Sequence, residues 1–534
     1  MKRIIPGLAA LTLALTLCLS ACTDTGPDTG ATTPSGDYVT DGTFTIAMVT
    51  DPGSLDPQAS IVAGIFELNG YAYDSIVGMT PTGVPVPQLA KSWTYEGLTA
   101  VFTLNEGITC SDGSPMTAQT VADNLDWIGD FDNASPYLDV FLPVGLTVTA
   151  DDDANTVTLE LAGPQPFLLE SLANVPIVCS AGLADRSALT RATIGSGPYE
   201  LTEAVPSDHY TYERRDGYTW GPNASTTDTV GLPKTIEVRV VPNESTAVNM
   251  LLAGEVSLVV TTGPDAERAK AAGLSSIDVP ANLGFTWYNQ ALGHPTAYPA
   301  VRKALTQALN FDDLAAVITG NTGSRATSLA VIPPASCSYD SVTGNIAAYD
   351  PEAAAATLEE AGFVKDEDGM FALDGQPLTI EFLYDSVLDT TGQAAAELAI
   401  DQWTKVGFTI VTRSLPSAQM SDVLFGSGDW DVVWEPINVN SPDQIVGFFS
   451  GPSPAEGGVN LGSTDNAAYV AAVEAAMEKT GLQACTGFQE AEAELLKAND
   501  FVLWAVRPNQ IFLSKVEYEY VGRTQVTSLR MLAS

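Results

Sequence analysis

The sequence predicts a mixed α/β protein with more than one core, and three observations carry this. Residues 378–412 run strand, helix, strand, the order of a parallel pair joined by a crossover helix. Helix-start signals recur, with Thr117, Asn243 and Asp350-Pro351 each standing before a periodic apolar run. The chain has 534 residues, which is enough for more than one unit at about 100–200 residues each.

In chain order, Phe44 to Met48 reads as a strand, and Asp51 to Pro57 as a loop with two Asp-Pro steps. Ala100 to Leu104 is a strand. Ser111 to Ser114 is a tight turn, and Thr117 caps a helix from Ala118 to about Trp127. Leu146 to Ala150 and Thr156 to Leu161 alternate as strands around a turn at Asp151 to Asn155. Thr235 to Val241 is a strand, followed by a helix from Glu244 to Ala253 between Asn243 and Gly254. Val301 to Leu309 and Asp313 to Thr319 are helical. Another helix starts at Asp350-Pro351 and ends at Gly362. Leu378 to Leu383, Gln393 to Val406 and Phe408 to Thr412 form the β-α-β unit. Asp431 to Trp434 is a short buried strand, and Asn466 to Lys479 and Gly487 to Ala498 are late helices.

The first residues read as an address. Met1, Lys2 and Arg3 precede an apolar run from Leu8 to Leu19. That run falls short of the ~20 residues a membrane span needs and fits a secretory signal over 1–21. Thr23 to Asp37 is mostly Thr, Gly, Pro and Asp, without apolar periodicity, and with Cys22 reads as a tether over 22–37.

Composition removes several functions. The net charge is -42, which argues against nucleic acid and against an anionic lipid surface as partners. With His209 and His294 the only histidines, a polyhistidine metal site or a His-based triad lacks material. No Gly-Lys occurs for a P-loop, and Gly195-Ser196-Gly197 and Gly426-Ser427-Gly428 lack the third glycine of a dinucleotide loop. Asp151, Asp153 and Asn155 imitate a calcium loop, but Thr156 stands where glycine is needed. No cofactor and no bound metal are expected. A carboxylate pair for hydrolysis stays open, because acidic residues are abundant. Beyond Cys18 and Cys22, the cysteines are Cys110, Cys179, Cys337 and Cys485. An even count in an exported chain suggests two disulfides, with three pairings open.

Two resemblances sharpen this. Leu19-Ser20-Ala21-Cys22 resembles the lipobox of bacterial lipoproteins, which implies lipidation of Cys22. The body resembles the bacterial extracellular solute-binding proteins of the dipeptide, oligopeptide and nickel class (family 5). Leu55-Asp56-Pro57, Tyr73 to Gly78 (YDSIVG), Pro87 to Trp93 (PQLAKSW), Phe102 to Gly113 with Pro115 to Ala118, Gly195 to Tyr199 (GSGPY), Val301 to Asn310 and Tyr349 to Phe363 carry it, in order.

The resemblance implies a two-lobe, periplasmic-binding-protein-like (type II) fold with an extra inserted subdomain. Lobe I would comprise 38–282 plus 500–534, with the insert near 76–194, and lobe II 283–499. One strand crossing between lobes is expected at Leu283 to Gln290. Pairing each cysteine within one lobe gives Cys110–Cys179 and Cys337–Cys485. The resemblance further implies a monomeric capture subunit of an ABC importer, lipid-anchored outside the cytoplasmic membrane (or on its periplasmic side). It would hold a peptide, with an oligosaccharide or metal chelate as alternatives, and hand it to a permease without covalent chemistry. A secreted carboxylate hydrolase and a surface adhesin are the competing classes. The expected ligand contacts are Trp434 and Glu435, Phe285, Trp287 and Asn289 on the crossing segment, and Ala63 and Gly64 in a loop over 62–66. Peptide binders of the family place an aspartate where this chain has Ile437, so Glu435 or Asp443 would have to substitute.

Overall fold

The computed structural model describes residues 37–61, 63–386 and 389–533. The signal 1–21, the lipidation candidate Cys22 and the tether as far as residue 36 lie outside the described residues.

A ten-stranded mixed sheet organises the molecule. At its centre Ser275–Tyr288 and Phe501–Leu513 pair antiparallel along nearly their whole lengths. At one end of this ribbon Trp287 and Tyr288 pair with Val433 and Val432 of the strand Val432–Trp434. Beyond it lie Thr379–Asp385 and Thr409–Leu415, parallel to each other and joined by the helix Asp389–Val406, as the β-α-β pattern predicts. At the other end residues 510–513 pair with Leu258–Thr261. From there the sheet continues through Thr43–Met48, Thr235–Val240, His209–Arg214 and Tyr199–Val205. Two groups of strands therefore meet only through the long ribbon. The crossing strand begins at Ser275 rather than Leu283, because Pro280 and Gly284 mask the pattern while still fitting the ladder. Its register breaks on both sides of Gly284. A Cβ there would stand 2.5 Å from the Trp504 ring, so only glycine lets the two backbones approach.

The segment after the first strand group builds its own four-stranded antiparallel sheet, Ala90–Glu96, Thr99–Leu104, Thr156–Glu160 and Thr147–Asp151. The helix Ala118–Gly129 packs on it through Val121 and Leu125, in a core with Phe102, Leu159 and Cys110. Thr117 caps this helix, its Oγ1 accepting from Thr120 N at 3.2 Å. In the Asp151–Asn155 turn, Ala154 N donates to Asp151 Oδ1 at 2.9 Å, a hairpin rather than a cation loop. Asn243 and Gly254 bracket the helix Glu244–Ala253 as expected.

Both expected disulfides form, Cys110–Cys179 and Cys337–Cys485, spanning 69 and 148 residues. In the chain-entropy model, loops of that size contribute about 4–5 kcal/mol each. The last long helix starts at Leu482, not Gly487. Gly487 lies inside it because a Cβ there would meet Ala476 Cβ of the preceding helix at 2.7 Å.

In the second half the sheet is covered on both faces. Phe382, Trp403, Trp434 and Trp504 fill one core, and Phe285, Trp287, Trp430 and Leu503 the other. Phe167 of the inserted segment is fully buried in this second core, 5.9 Å from Phe488. Next to it, Gly481 N donates to Pro166 O at 2.7 Å. The insert thus closes against the second half.

Candidate functional site

A small cavity opens where the two halves approach, with about 580 Å³ of empty space counting open solvent and enclosed room for about one or two water molecules. The first half contributes Gly70 and Asp74 from the end of the helix Ala63–Ala72 and the residues after it. Glu170 and Asn174 come from the inserted segment, and Val521, Arg523 and Gln525 from the C-terminal segment. The second half contributes Pro334 and Asn440.

Three charged groups line it, in three different conditions. Asp74 is saturated: Tyr218 Oη and Gln88 Nε2 donate to Oδ1 at 2.7 and 2.9 Å, and Ser196 Oγ and Trp220 Nε1 to Oδ2 at 2.8 and 2.9 Å. It ties YDSIVG to PQLAKSW and GSGPY, so those motifs meet in space to build the wall. The glycines of GSGPY serve the same junction, since a Cβ on Gly195 would lie 2.2 Å from Ala72 O. Glu170 is held by burial, with Asp443 of the second half adding repulsion, and its pKa is pushed up to about 7. Burial likewise raises Asp443, against a hydrogen bond from the Ser441 hydroxyl.

Arg523 is open. Its one side-chain hydrogen bond runs from Nη2 to Ala173 O at 3.3 Å. Of the carboxylates whose charge reaches it, Asp74 is occupied as above. Glu67 accepts from Tyr71 Oη at 2.6 Å and from Thr524 N at 3.1 Å. Among the described residues no ion pair includes Arg523, and burial lowers its pKa.

The residues singled out from the sequence lie elsewhere. Trp434 is fully buried, its ring 5.1 Å from those of Phe382 and Trp504, and its Nε1 has no hydrogen-bond partner. Phe285 stacks on Trp287 at 4.9 Å and on Phe501 at 5.3 Å. Trp287 stacks on Phe449 at 4.6 Å and donates Nε1 to Glu435 O at 2.8 Å. Asn289 Nδ2 donates to Trp430 O at 3.0 Å and Gly428 O at 3.2 Å, while its Oδ1 accepts from Ala291 N at 3.1 Å. Burial and the nearby Asp385 push the Glu435 pKa up to about 7, and its Oε2 has no partner. Residues 63–66 are not a loop but the first turn of the helix Ala63–Ala72. Gly64 there leaves room for Met48 Sδ, 3.3 Å from where a Cβ would stand. None of these seven residues lines the 580 Å³ cavity. Conversely, Glu170 and Arg523 were not singled out. Arg523 had one signal, a cation after the stretch Val516 to Gly522 (VEYEYVG), rich in Tyr and Glu, in a chain with only 23 basic residues.

Comparison with known proteins agrees with this architecture. Residues 84–456 match the family described as bacterial extracellular solute-binding proteins, family 5 Middle. The chain is 27% identical over 350 residues to the dipeptide-binding protein of Escherichia coli (strain K12), covering 60% of this chain and 62% of that one. To the nickel-binding periplasmic protein of the same organism it is 26% identical, over 68% of this chain and 69% of that one. The sequence alignment thus spans somewhat under two thirds of the dipeptide-binding relative. The crystal structure of a substrate-binding protein from Microbacterium hydrocarbonoxydans, complexed with 4-hydroxybenzoate hydrazide, superposes with TM-score 0.68 at 26% identity, over 92% of this chain and 100% of that one. The two strand groups joined by one ribbon are the two-lobe, type II arrangement. With more than half its length matched, this chain belongs to the bacterial extracellular solute-binding proteins of family 5.

Proposed function

We propose that the chain captures a small peptide between its two lobes and passes it, unaltered, to the permease of an ABC importer. The observation that carries this reading is a cavity walled by residues of both halves, with Arg523 and Glu170 on its wall. A solute touching both halves favours the closed arrangement over the open one. Shifting a 1:99 balance to 99:1 takes about 5.5 kcal/mol of differential binding. The relatedness to a dipeptide-binding protein supports a peptide as the solute. Membership in a family of solute-binding proteins supports capture over hydrolysis.

The lobe limits belong to the same proposal: 38–282 plus 500–534, with an insert near 76–194, and 283–499. The register break around Gly284 supports a boundary there. Anchorage through Cys22 outside the cytoplasmic membrane and action as a monomer are also part of the proposal. Glu435 and Trp434 are kept as candidate contacts on the second-lobe side, because each retains a buried polar atom without a partner. Phe285, Trp287, Asn289, Ala63 and Gly64 complete the proposed set of ligand contacts, to be reached when the lobes part.

Equilibrium dialysis against pools of di- to pentapeptides, read by mass spectrometry, tests the proposal. Retention of defined peptides is expected. Retention of none, with uptake of an oligosaccharide, overturns the peptide assignment. A metal chelate is the second reading, favoured by the 26% identity to a nickel-binding protein, and a nickel–histidine mixture added to the same dialysis decides between them.

A further inference from the structure

The long ribbon joins the two lobes along the sheet, and a second junction crosses between them away from it. In the inserted segment, Pro164, Gln165, Pro166 and Phe167 lead into the short helix Leu168–Leu172. The two prolines fix their own φ and carry no N–H, so the stretch is stiff and leaves few donors to satisfy. It is fastened at its root. Tyr95 Oη donates to Gln165 O at 2.9 Å, and Leu168 and Leu172 are buried in the insert's own core. Phe167, one residue before Leu168, goes the other way. It is fully buried in the lobe II core with Phe449, Tyr469, Phe488 and Leu495, its ring 5.9 Å from that of Phe488.

Lobe II meets this segment at the start of the helix Leu482–Lys497, which carries Phe488. The residue before that helix, Gly481, donates its N–H to Pro166 O at 2.7 Å. Gly481 has φ 51°, a conformation that favours glycine. An apolar side chain and a backbone hydrogen bond thus cross together from the insert to lobe II. Elsewhere the same interface carries a carboxyl pair, Glu170 of the insert facing Asp443 of lobe II, which pushes the lobes apart as far as both are ionised. The cavity between the lobes encloses room for about one or two waters, so in this arrangement protein closes directly on protein. Fully burying a Phe favours the buried state by roughly 10- to 150-fold. A hinge motion that parts the lobes returns Phe167 to water and breaks the Gly481 bond.

We infer that Pro166 and Phe167 form a latch by which the inserted subdomain holds lobe II closed when no solute is bound. Opening the cleft withdraws Phe167 from its seat, so the latch sets how often solute can enter. This rests on the reading of capture by closure given above, but not on the kind of solute.

The test is amide hydrogen exchange of the full chain without added peptide, read by mass spectrometry at single-residue resolution. The Gly481 amide reports the latch, because its hydrogen bond crosses between lobes. Its neighbours Gln483 and Ala484 donate within lobe II, to Thr480 O and Gly481 O, and serve as controls. In the unmodified chain Gly481 is expected to exchange at least ten-fold more slowly than an unstructured glycine amide. In Phe167→Ala it should exchange at least ten-fold faster than in the unmodified chain. Gln483, Ala484, the insert ladder Thr99–Leu104 and the lobe II strand Val432–Trp434 should keep their rates. Phe167→Leu, which still fills most of the seat, should hold Gly481 within about three-fold of the unmodified chain. An unprotected Gly481 in the unmodified chain overturns the latch, and so does an unchanged rate in Phe167→Ala. Acceleration that extends to Gln483 and Ala484, or to the two ladders, makes Phe167 an ordinary core residue and also overturns it. No solute enters this measurement, so the two readings fail separately. Peptide retention in dialysis with an unprotected Gly481 removes the latch alone, and a protected, Phe167-dependent Gly481 without peptide retention removes the peptide assignment alone.

Discussion

In the second lobe, Arg302 is 5% exposed and gives its donors to Asn499 O at 3.0 Å, Thr296 O at 3.0 Å and Asp500 Oδ1 at 3.2 Å. Asp500 in turn accepts from Asn466 Nδ2 at 2.8 Å, and Asn466 Oδ1 caps the helix Ala467–Met477. Beside the cavity, Arg523 has one bond, at 3.3 Å. The two arginines share burial and a lowered pKa, with burial the leading cause in each. They differ in whether the fold completes them. The circuit around Arg302 is closed by hydrogen bonds, whereas Arg523 makes one long bond and takes its balancing charge from Glu67 and Asp74 across space. Each prediction below strains one side of that contrast.

The largest effect belongs to the closed circuit. Arg302→Gln leaves the buried Asp500 without its cation, with neutral donors alone, and removes the Arg302 donors from Thr296 O and Asn499 O. Removing one member of a buried pair costs about 3–5 kcal/mol. Urea unfolding should show a loss of that size. A loss under 1 kcal/mol would mean that donor saturation does not mark structural residues in this chain.

Glu492 sharpens the contrast through pH. It is 3% exposed and accepts from Tyr339 Oη at 2.5 Å, Ser341 Oγ at 2.6 Å and Leu329 N at 3.3 Å. These donors are all neutral, and burial outweighs them, pushing the carboxyl pKa from 4.5 up to about 7. Between those values the folded chain holds a proton that the unfolded chain has released. This stabilisation is therefore full below about pH 4.5 and is lost as pH rises through 7. Glu170 and Glu435, also raised to about 7, act in the same direction. At 1.36 kcal/mol per pKa unit, Glu492 accounts for about 3 kcal/mol. Stability should fall between pH 5 and pH 8, and Glu492→Gln should flatten the slope. An unchanged slope in that variant would show that Glu492 is ionised when folded.

The same contrast explains what could be read from the sequence. Asp74, the glycines of GSGPY and Asp56 sit in contiguous motifs because their work is local closure. Asp56, for example, pairs with Arg186 at 2.5 Å, and Arg186 lies over the Trp127 ring at 3.4 Å. Motifs of that kind identify a fold. Caps such as Asn243 and Asp350 were legible because each bonds within three residues. The cavity was not legible. Glu170, Asn440 and Arg523 come from three distant stretches, and no periodicity links them. The roles of Phe285, Trp287 and Trp434 were not legible for a related reason. On a strand covered on both faces, aromatic residues fill cores on either side, and sequence does not distinguish that from a cleft wall. The helix Ala63–Ala72 was hidden by Gly64 and Gly70, whose missing Cβ atoms are needed by Met48 and Arg523.

The smaller effects set the two walls of the cavity against each other. Asp74→Asn replaces acceptor oxygen with an amide that confronts Ser196 Oγ and Trp220 Nε1, or Tyr218 Oη and Gln88 Nε2, depending on its orientation. Leaving buried donors unmet costs about 1–3 kcal/mol, which urea unfolding would read as roughly 2 kcal/mol. Arg523→Gln, measured without peptide, should change stability by less than about 1 kcal/mol. Its stem packing over Gly70 and one long bond are lost, while an uncompensated cation no longer has to be withdrawn from water. These terms oppose each other, whereas at Arg302 they add. A loss above 2 kcal/mol in Arg523→Gln would place that residue with the architecture. A near-neutral result, beside a costly Asp74→Asn on the same wall, would show that the fold depends little on Arg523 and much on the junction that Asp74 closes.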